Sequence, residues 1–165
     1  MPTTHHAAAG ILSDANASKR EEIVEMLTKA YWMEIETVIN YLSLSQHIDG
    51  IRAEEIAEAL GADVTEELGH ARQFAERIKD LYGTPPGSLD FTAEQTYLQP
   101  SDDATDVGTV VKGVIQAEAG AIEFYNQIIE ATDGVDWATQ DMVIAILRDE
   151  ENHMRTFERY LREFE

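Results

Sequence analysis

Four long segments of this chain repeat apolar residues at alternating steps of three and four, which is the spacing of one face of an α-helix. The segments run from about Ser18 to Ile48, Arg52 to Tyr82, Asp106 to Thr132 and Trp137 to Phe164. Asp49-Gly50 and Asp133-Gly134 break the pattern within each pair, and Ser18 is a plausible N-cap. No alternating strand pattern competes. The sequence therefore predicts an all-α protein, a four-helix bundle with no fifth helix.

A long connection separates the second segment from the third. It follows Gly83 and Pro85-Pro86-Gly87, which end a helix, and its Phe91, Tyr97 and Leu98 are expected to pack against the bundle. About 20 extended residues reach roughly 65 Å, so the second and third helices can run parallel. Residues 1–17 are small, polar and aperiodic. We predict a flexible N-terminal arm there, with the bundle in residues 18–165.

In each helix the apolar residues at these steps form one stripe, which we call the seam. Each seam contains one glutamate near the middle of its helix, a position that glutamate normally avoids. These are Glu34, Glu67, Glu118 and Glu150. Two of them open Glu-x-x-His motifs that end at His70 and His153, and each motif follows a lone seam glutamate, by 33 positions in the first case and 32 in the second. One such motif is weak evidence because glutamate is abundant. The duplicated arrangement is far more specific.

The four glutamates are also expected at one height. Each pair of helices folds back at Gly50 or Gly134, which places its two glutamates at the same height, roughly 24 Å from the hairpin turn. Four buried carboxylates cannot all stay charged without cations. Two divalent ions would solve this, with six ligands shared between them. Carboxylates with one imidazole per metal suit iron or manganese, and zinc can also bind. The alternative is a pair of structural Glu–His hydrogen bonds, but the seams offer no basic partners.

Several other residues have two possible roles. Tyr41 and Tyr125 each follow a seam glutamate by seven positions. Either could donate a hydrogen bond to a metal ligand or supply an electron, and ordinary core packing is the alternative. Three glutamates are expected to be solvated: Glu66, Glu123 and Glu151. His47 is expected to be structural or at the surface. His5 and His6 are expected in the disordered tail. Trp32 and Trp137 are expected at helix edges or subunit contacts.

Composition narrows the function classes. The formal charge is −20, which repels phosphate backbones and anionic membranes, so nucleic-acid binding is disfavoured. A solvated acidic surface and cation attraction both explain that charge. No apolar run approaches the roughly 20 residues needed to span a bilayer, and the start lacks a signal-peptide pattern. The chain has no cysteine, which excludes disulfides and cysteine-ligated metal sites. The default expectation is a cytoplasmic protein.

These residues resemble the ferritin-like superfamily over about residues 25 to 162, most closely bacterioferritins and bacterioferritin-like Dps-type proteins. The segment from Ile146 to His153 looks like the fourth helix of bacterioferritins, Glu118 to Ala121 is similar to their third, and Tyr41 to Ser45 looks like the first helix of ferritins. The resemblance implies an intrasubunit di-iron ferroxidase centre, with Tyr41 beside it. Its ligands would be Glu34, Glu67, His70, Glu118, Glu150 and His153, with Glu67 and Glu150 bridging.

Three departures from the family pattern limit what the resemblance implies. Bacterioferritins bind haem through a methionine where this chain has Leu68, so no haem is expected. The chain ends 12 residues after His153, which leaves no room for the fifth helix of ferritins and argues against a 24-subunit cage. A homo-oligomer such as a 12-subunit shell fits better. The bacterioferritin-like Dps relatives carry a cysteine pair near the metals, and this chain has none.

The resulting hypothesis is a ferroxidase that oxidises Fe(II) with O2 or H2O2, for iron storage, detoxification and protection from oxidative stress. Two ions would bind per chain, with manganese or zinc as alternatives to iron. A second hypothesis is peroxide chemistry without storage, of the rubrerythrin or manganese-catalase type, although the rubredoxin cysteines are absent. A third is a metal-carrying bundle without catalysis.

Overall fold

Four helices build the protein, and the computed structural model describes residues 10–165. They are α1 (Ala17–His47), α2 (Ala53–Asp80), α3 (Val107–Thr132) and α4 (Trp137–Leu161), with three short 3-10 helices at Gly10–Leu12, Asp14–Asn16 and Ser88–Asp90. No strand occurs within those residues. The predicted all-α four-helix bundle is confirmed. Between residues 10 and 165, no helix combines the length and apolar character needed to cross a membrane.

The two hairpin turns lie where the sequence predicts them. Gly50 has a φ of +103° and Gly134 a φ of +70°, a left-handed conformation that glycine adopts without strain. Tyr41 of α1 contacts Glu118 of α3, and Glu34 contacts Tyr125, so α1 and α3 run antiparallel. Since α2 is antiparallel to α1, the second and third helices run parallel, as the long connection allows.

Helix ends differ from the predicted ends by up to three residues. α1 begins at Ala17 with Asn16 as its N-cap, whereas Ser18 was expected there. α2 ends at Asp80, and Gly83 then donates its N–H to the carbonyl of Ile78 at 2.8 Å. α4 ends at Leu161, before the predicted Phe164. Because terminal turns fray, these positions are the least determined by sequence.

Part of the predicted N-terminal arm lies against the bundle. Gly10–Leu12 and Asp14–Asn16 form two 3-10 helices, and Ile11 is buried in the core. Arg20 of α1 donates to the carbonyls of Ile11 and Ser13 at 2.9 and 3.0 Å. The guanidinium thereby holds the segment on the bundle. Residues 1–9 of the arm, which include His5 and His6, lie outside the described residues.

Two apolar clusters fill the bundle, one toward each end. The Gly134-end cluster includes Leu27, Phe74, Ile78, Ile128 and Val143. The Gly50-end cluster includes Leu44, Leu60, Val111, Val114 and Phe157. Most apolar residues at the alternating three- and four-residue steps are buried in one of the two clusters, whereas Tyr31, Val38, Val64, Tyr160 and Phe164 are partly buried. The mid-helix glutamates lie between the clusters.

The connection between α2 and α3 is fixed on the outer face of α1. Glu36 is buried, and its Oε1 accepts the backbone N–H groups of Glu94 and Gln95 at 2.8 and 2.7 Å. Leu98 is buried, as predicted, and Phe91 packs on Trp32 with ring centroids 5.4 Å apart. The third expected contact, Tyr97, stays 38% exposed. The connection thus forms a wall beside the site.

Candidate dimetal centre

The structure brings all six predicted site residues together in the middle of the bundle. Each helix supplies one glutamate, and α2 and α4 each add a histidine one turn later. All six side chains are buried: Glu34, Glu67, His70, Glu118, Glu150 and His153. The histidine rings lie 6.4 Å apart between centroids. Because i and i+3 residues share a helix face, each Glu-x-x-His motif directs both side chains into the core.

Two overlapping sets of ligand atoms result, each within 4.8 Å. The first half-site consists of Glu34, Glu67, His70 and Glu150. The second half-site consists of Glu67, Glu118, Glu150 and His153. Glu67 and Glu150 belong to both. This geometry matches the one expected for two ions held side by side by two shared carboxylates.

Several buried atoms in this cluster have no hydrogen-bond partner, which tests whether a cation fits. Glu67 Oε1, Glu150 Oε1 and His153 Nδ1 are all orphaned in this way. Yet Glu150 Oε1 is 2.9 Å from His70 Nδ1, and Glu67 Oε1 is 3.2 Å from His153 Nδ1. The atoms are close without pointing at one another. A cation between them would give each a partner, and this donor set suits iron or manganese.

The electrostatics of the cluster set Glu34 and Glu118 apart from Glu67. Burial, with Glu150 and Glu67 nearby, raises the pKa of Glu34 well above its usual value. Burial and the charge on Glu67 raise the pKa of Glu118 in the same way. Burial also opposes ionisation of Glu67, but contacts from His153 and His70 outweigh it and lower that pKa to about 2. The metal-free cluster is therefore poised to exchange protons for cations.

Both histidines are held in their protonated form. Burial disfavours the charge, but Glu150 and Glu67 overcome it and raise the pKa of His70 to about 10. The same two glutamates raise the pKa of His153 to about 12. Since a metal ligand must be neutral imidazole, ion binding has to displace these protons.

Tyr41 and Tyr125 each donate a hydrogen bond to a site glutamate across the bundle. The Tyr41 hydroxyl donates to Glu118 Oε1, and the Tyr125 hydroxyl donates to Glu34 Oε1. Both tyrosines are fully buried. Of the alternatives open for them, the structure favours hydrogen bonding to the glutamates that the two half-sites do not share.

Three carboxylates on the outer side of the histidines escaped the sequence prediction. Asp149 Oδ2 lies 3.3 Å from His70 Nε2, and Glu66 Oε2 lies 3.1 Å from His153 Nε2. Asp63 Oδ1 lies 3.8 Å from His153 Nε2. Glu66 was expected to be merely solvated; it is 49% exposed yet contacts the histidine ring. A signal was present, because an acidic residue directly precedes each Glu-x-x-His motif. Such groups orient imidazole ligands.

The other candidates lie apart from the site. Glu123 and Glu151 are exposed, as predicted. His47 Nε2 contacts the carbonyl of Ser101 at 2.7 Å, which ties the connection to α1. Trp137 is 71% exposed at the start of α4.

Known proteins resemble this chain in sequence and in fold. A family model described as a ferritin-like domain matches residues 24–165. The DNA protection during starvation protein of Pyrococcus furiosus is 29% identical over 143 residues, covering 86% of this chain and 77% of that protein. The bacterioferritin of Desulfovibrio desulfuricans is 26% identical over 141 residues, covering 85% and 74%. A dodecameric thioferritin from Bacteroides fragilis, described as bacterioferritin-related, has a TM-score of 0.78 at 22% identity, covering 88% and 87%.

Proposed function

Since the chain belongs to the ferritin-like family, as its motifs predicted, we propose that it is an iron-binding ferroxidase with both iron sites inside one subunit. The observation that carries the proposal is the sharing of Glu67 and Glu150 between two complete ligand sets. Two ions held this closely can deliver two electrons together to one oxidant. The relatives named as a bacterioferritin and as a DNA protection during starvation protein support the same assignment.

In the proposed reaction Fe(II) is a substrate, and the protein supplies the ligands and handles the protons. Each Fe(II) loses one electron to become Fe(III). Dioxygen takes two electrons and two protons to become hydrogen peroxide, or peroxide takes two of each to become two waters. Anionic carboxylates bind Fe(III) more strongly than Fe(II), so the glutamates favour the oxidised product.

Individual residues have separate roles in this proposal. Glu67 and Glu150 span both ions, while Glu34 and Glu118 each bind one. His70 and His153 release their protons as the ions enter and then orient them. Hydrogen bonds from Tyr125 and Tyr41 fix the two unshared carboxylates in place. The apolar clusters on either side exclude bulk water from the centre.

An anaerobic Fe(II) titration of the metal-free protein tests the proposal. We expect saturation at two ions per chain, followed by ferric absorbance when oxygen or peroxide is added. Saturation far from two, or no ferric signal, contradicts the proposal. Oxygen evolution from peroxide by manganese-loaded protein, with no Fe(II) oxidation, would instead support the catalase-type alternative.

Storage is a separate part of the proposal. The dodecameric assembly named for the Bacteroides fragilis relative supports a closed homo-oligomeric shell, in which ferric product accumulates. Native mass spectrometry tests this directly. A mass of about twelve chains agrees with a shell, whereas a dimer means oxidation without storage.

A further inference from the structure

A small internal chamber lies on the side of the dimetal cluster away from the histidines. Its walls include all four site glutamates but neither His70 nor His153. The remaining wall is formed by side chains of α1 and α3, among them Met33, Ala117 and Ala121, and by Gln95 of the connection. The chamber has a volume of about 10 Å³, room for roughly one water-sized molecule. Anything occupying it would touch both half-sites at once.

An open groove between α1 and α3 lies next to this chamber. The groove has a volume of about 330 Å³, and its lining includes Lys29 and the carboxylates Glu36, Glu94 and Glu123. Met33, Gln95 and Ala117 line both the groove and the chamber. We call these three residues the neck, because groove and chamber meet there.

The neck offers nothing that would bind a cation. Met33 and Ala117 are apolar, and the Gln95 amide is already satisfied. Its Oε1 accepts from Asn40 Nδ2 at 2.9 Å, and its Nε2 donates to Thr37 Oγ1 at 2.8 Å. A hydrated divalent ion passing here would lose its water without gaining ligands, at a large cost in free energy.

On the opposite face of the cluster, carboxylates reach the ligands directly. There Asp63, Glu66 and Asp149 stand beside the outer nitrogens of the histidines. On the groove side the carboxylates Glu36, Glu94 and Glu123 line the groove but not the chamber, and the neck between them carries no charge. The neck therefore suits small molecules without charge, whereas the histidine side suits cations.

We propose that a small neutral oxidant, dioxygen or hydrogen peroxide, enters through the neck between α1 and α3 and occupies the chamber against both half-sites. This inference rests on the proposed ferroxidase function. It adds a route and a binding position, with Met33, Gln95 and Ala117 as the residues that limit access and Ala121 as part of the chamber wall. The fixed side chain of Gln95 sets the width of the neck from the side of the connection.

The first test needs no metal, so it stands even if the ferroxidase assignment fails. Dissolved dioxygen is paramagnetic and speeds the relaxation of nearby methyl protons in the metal-free protein. We expect enhancement at the methyls of Met33, Ala117 and Ala121 well above that of Ala30, a fully buried alanine on α1. Enhancement equal to that of Ala30 overturns the route.

The second test uses a matched pair of substitutions on α3. Ala117→Leu adds bulk at the neck, whereas Ala119→Leu adds the same bulk at an exposed position. We expect Ala117→Leu to slow oxidation about tenfold or more at limiting oxygen, with Fe(II) still binding at two per chain, and Ala119→Leu to match the parent protein. Unchanged oxidation in Ala117→Leu with normal binding overturns the proposal.

A widening variant covers the case in which Ala117→Leu does not fold. Met33→Ala removes bulk from the other side of the neck and should speed oxidation at limiting oxygen severalfold. An unchanged or slower rate, with two Fe(II) ions still bound, counts against the route. If the parent protein does not bind Fe(II), the ferroxidase assignment is wrong. The relaxation experiment then still tests the access route, because it uses metal-free protein.

Discussion

The two half-sites share their inner ligands and differ in what lies behind them. Each has one histidine, one unshared glutamate and a tyrosine that fixes that glutamate, and both use Glu67 and Glu150. Behind His70 stands Asp149 of α4 at 3.3 Å, and Glu66 of α2 is also within 4.8 Å. Behind His153 stand both Glu66 and Asp63, at 3.1 and 3.8 Å. Glu66 is shared, so the second half-site has two carboxylates within 3.8 Å of the outer nitrogen of its histidine and the first half-site has one.

The origin of the difference is visible in the sequence. Asp63 lies four residues before Glu67, one helical turn away. The corresponding position before Glu150 is Ile146, which is buried in the Gly134-end cluster. The ligands are duplicated between the hairpins, but their surroundings are not. We therefore expect the second half-site to bind its ion more tightly, with the stronger proton competition at His153 as the opposing effect.

The largest effect should come from removing a ligand that both half-sites use. Glu67→Ala should lower the oxidation rate by more than about 100-fold, since loss of even an outer partner costs 10 to 100-fold in metal sites. The helical circular dichroism should persist. The exposed Glu151→Ala on α4 is the control and should oxidise Fe(II) normally. Retained oxidation in Glu67→Ala would mean that the shared carboxylate is not needed.

Removing an unshared glutamate should separate the half-sites. Glu34→Gln should abolish ion binding at the first half-site, and Glu118→Gln should abolish it at the second. We expect one high-affinity ion per chain in each variant, bound more tightly in Glu34→Gln, which keeps the second half-site. Anaerobic titration gives both numbers. Equal affinities in the two variants would show that the two half-sites do not differ in metal affinity.

The stability of the metal-free protein should fall as pH rises above 6.5. Both histidines have raised pKa values in the folded state, so their contribution is complete below pH 6.5 and is lost toward pH 10 for His70 and pH 12 for His153. The raised pKa values of Glu34 and Glu118 act in the same direction.

Each histidine contributes at most about 1.4 kcal/mol per pH unit. Urea unfolding at pH 6, 8 and 10 measures the slope. The free energy of unfolding should fall less steeply with pH in His153→Gln than in His70→Gln. Stability that is constant or rises over this range would contradict the protonated state of the cluster.

The two tyrosines offer a symmetric test of the unshared glutamates. Tyr125→Phe and Tyr41→Phe each leave a buried carboxyl group without its hydrogen-bond donor, which costs about 1 to 3 kcal/mol. Urea unfolding of the metal-free variants should show similar losses. Tyr97→Phe, at an exposed position on the connection, should lose less than about 0.5 kcal/mol. A loss in only one buried variant would show that the half-sites also differ on this side.

The smallest effect should come from the outer carboxylates. Burial, against the charge of His153, raises the pKa of Asp63 to about 6, so it is largely ionised at pH 7. Asp63→Asn should weaken the second half-site about tenfold and leave the first unchanged. Asp149→Asn should do the reverse. Glu58→Gln, at an exposed position of α2, is the control for the loss of one negative charge from the surface. Equal weakening of both half-sites by Asp63→Asn would point to long-range electrostatics instead.

Much of the fold and the inner site could be predicted because both follow from helical periodicity. The seams locate the buried face, and any glutamate in a seam stands out against its apolar neighbours. Glu34 and Glu118 could be paired with the two motifs because the hairpin turns at Gly50 and Gly134 are marked by glycine.

The remaining features depend on contacts that periodicity does not encode. Glu36 is buried because the connection covers a second face of α1, and no seam pattern records that covering. Ile11 packs on the bundle through a short segment with no periodicity at all. The chamber exists because Ala117 and Ala121 are small where α1 and α3 face each other. Such a void becomes visible only when both helices are in place.

The division of the six candidate ligands between the hairpins has a consequence for folding. Glu34, Glu67 and His70 come with the first hairpin, and Glu118, Glu150 and His153 with the second. Contacts within a hairpin are close in sequence and form early, whereas joining the hairpins requires closure of the long connection. That last step also brings like charges together. Divalent cations should therefore accelerate the docking of preformed hairpins and leave their formation unchanged, so the metal would act as an assembly factor for its own binding site.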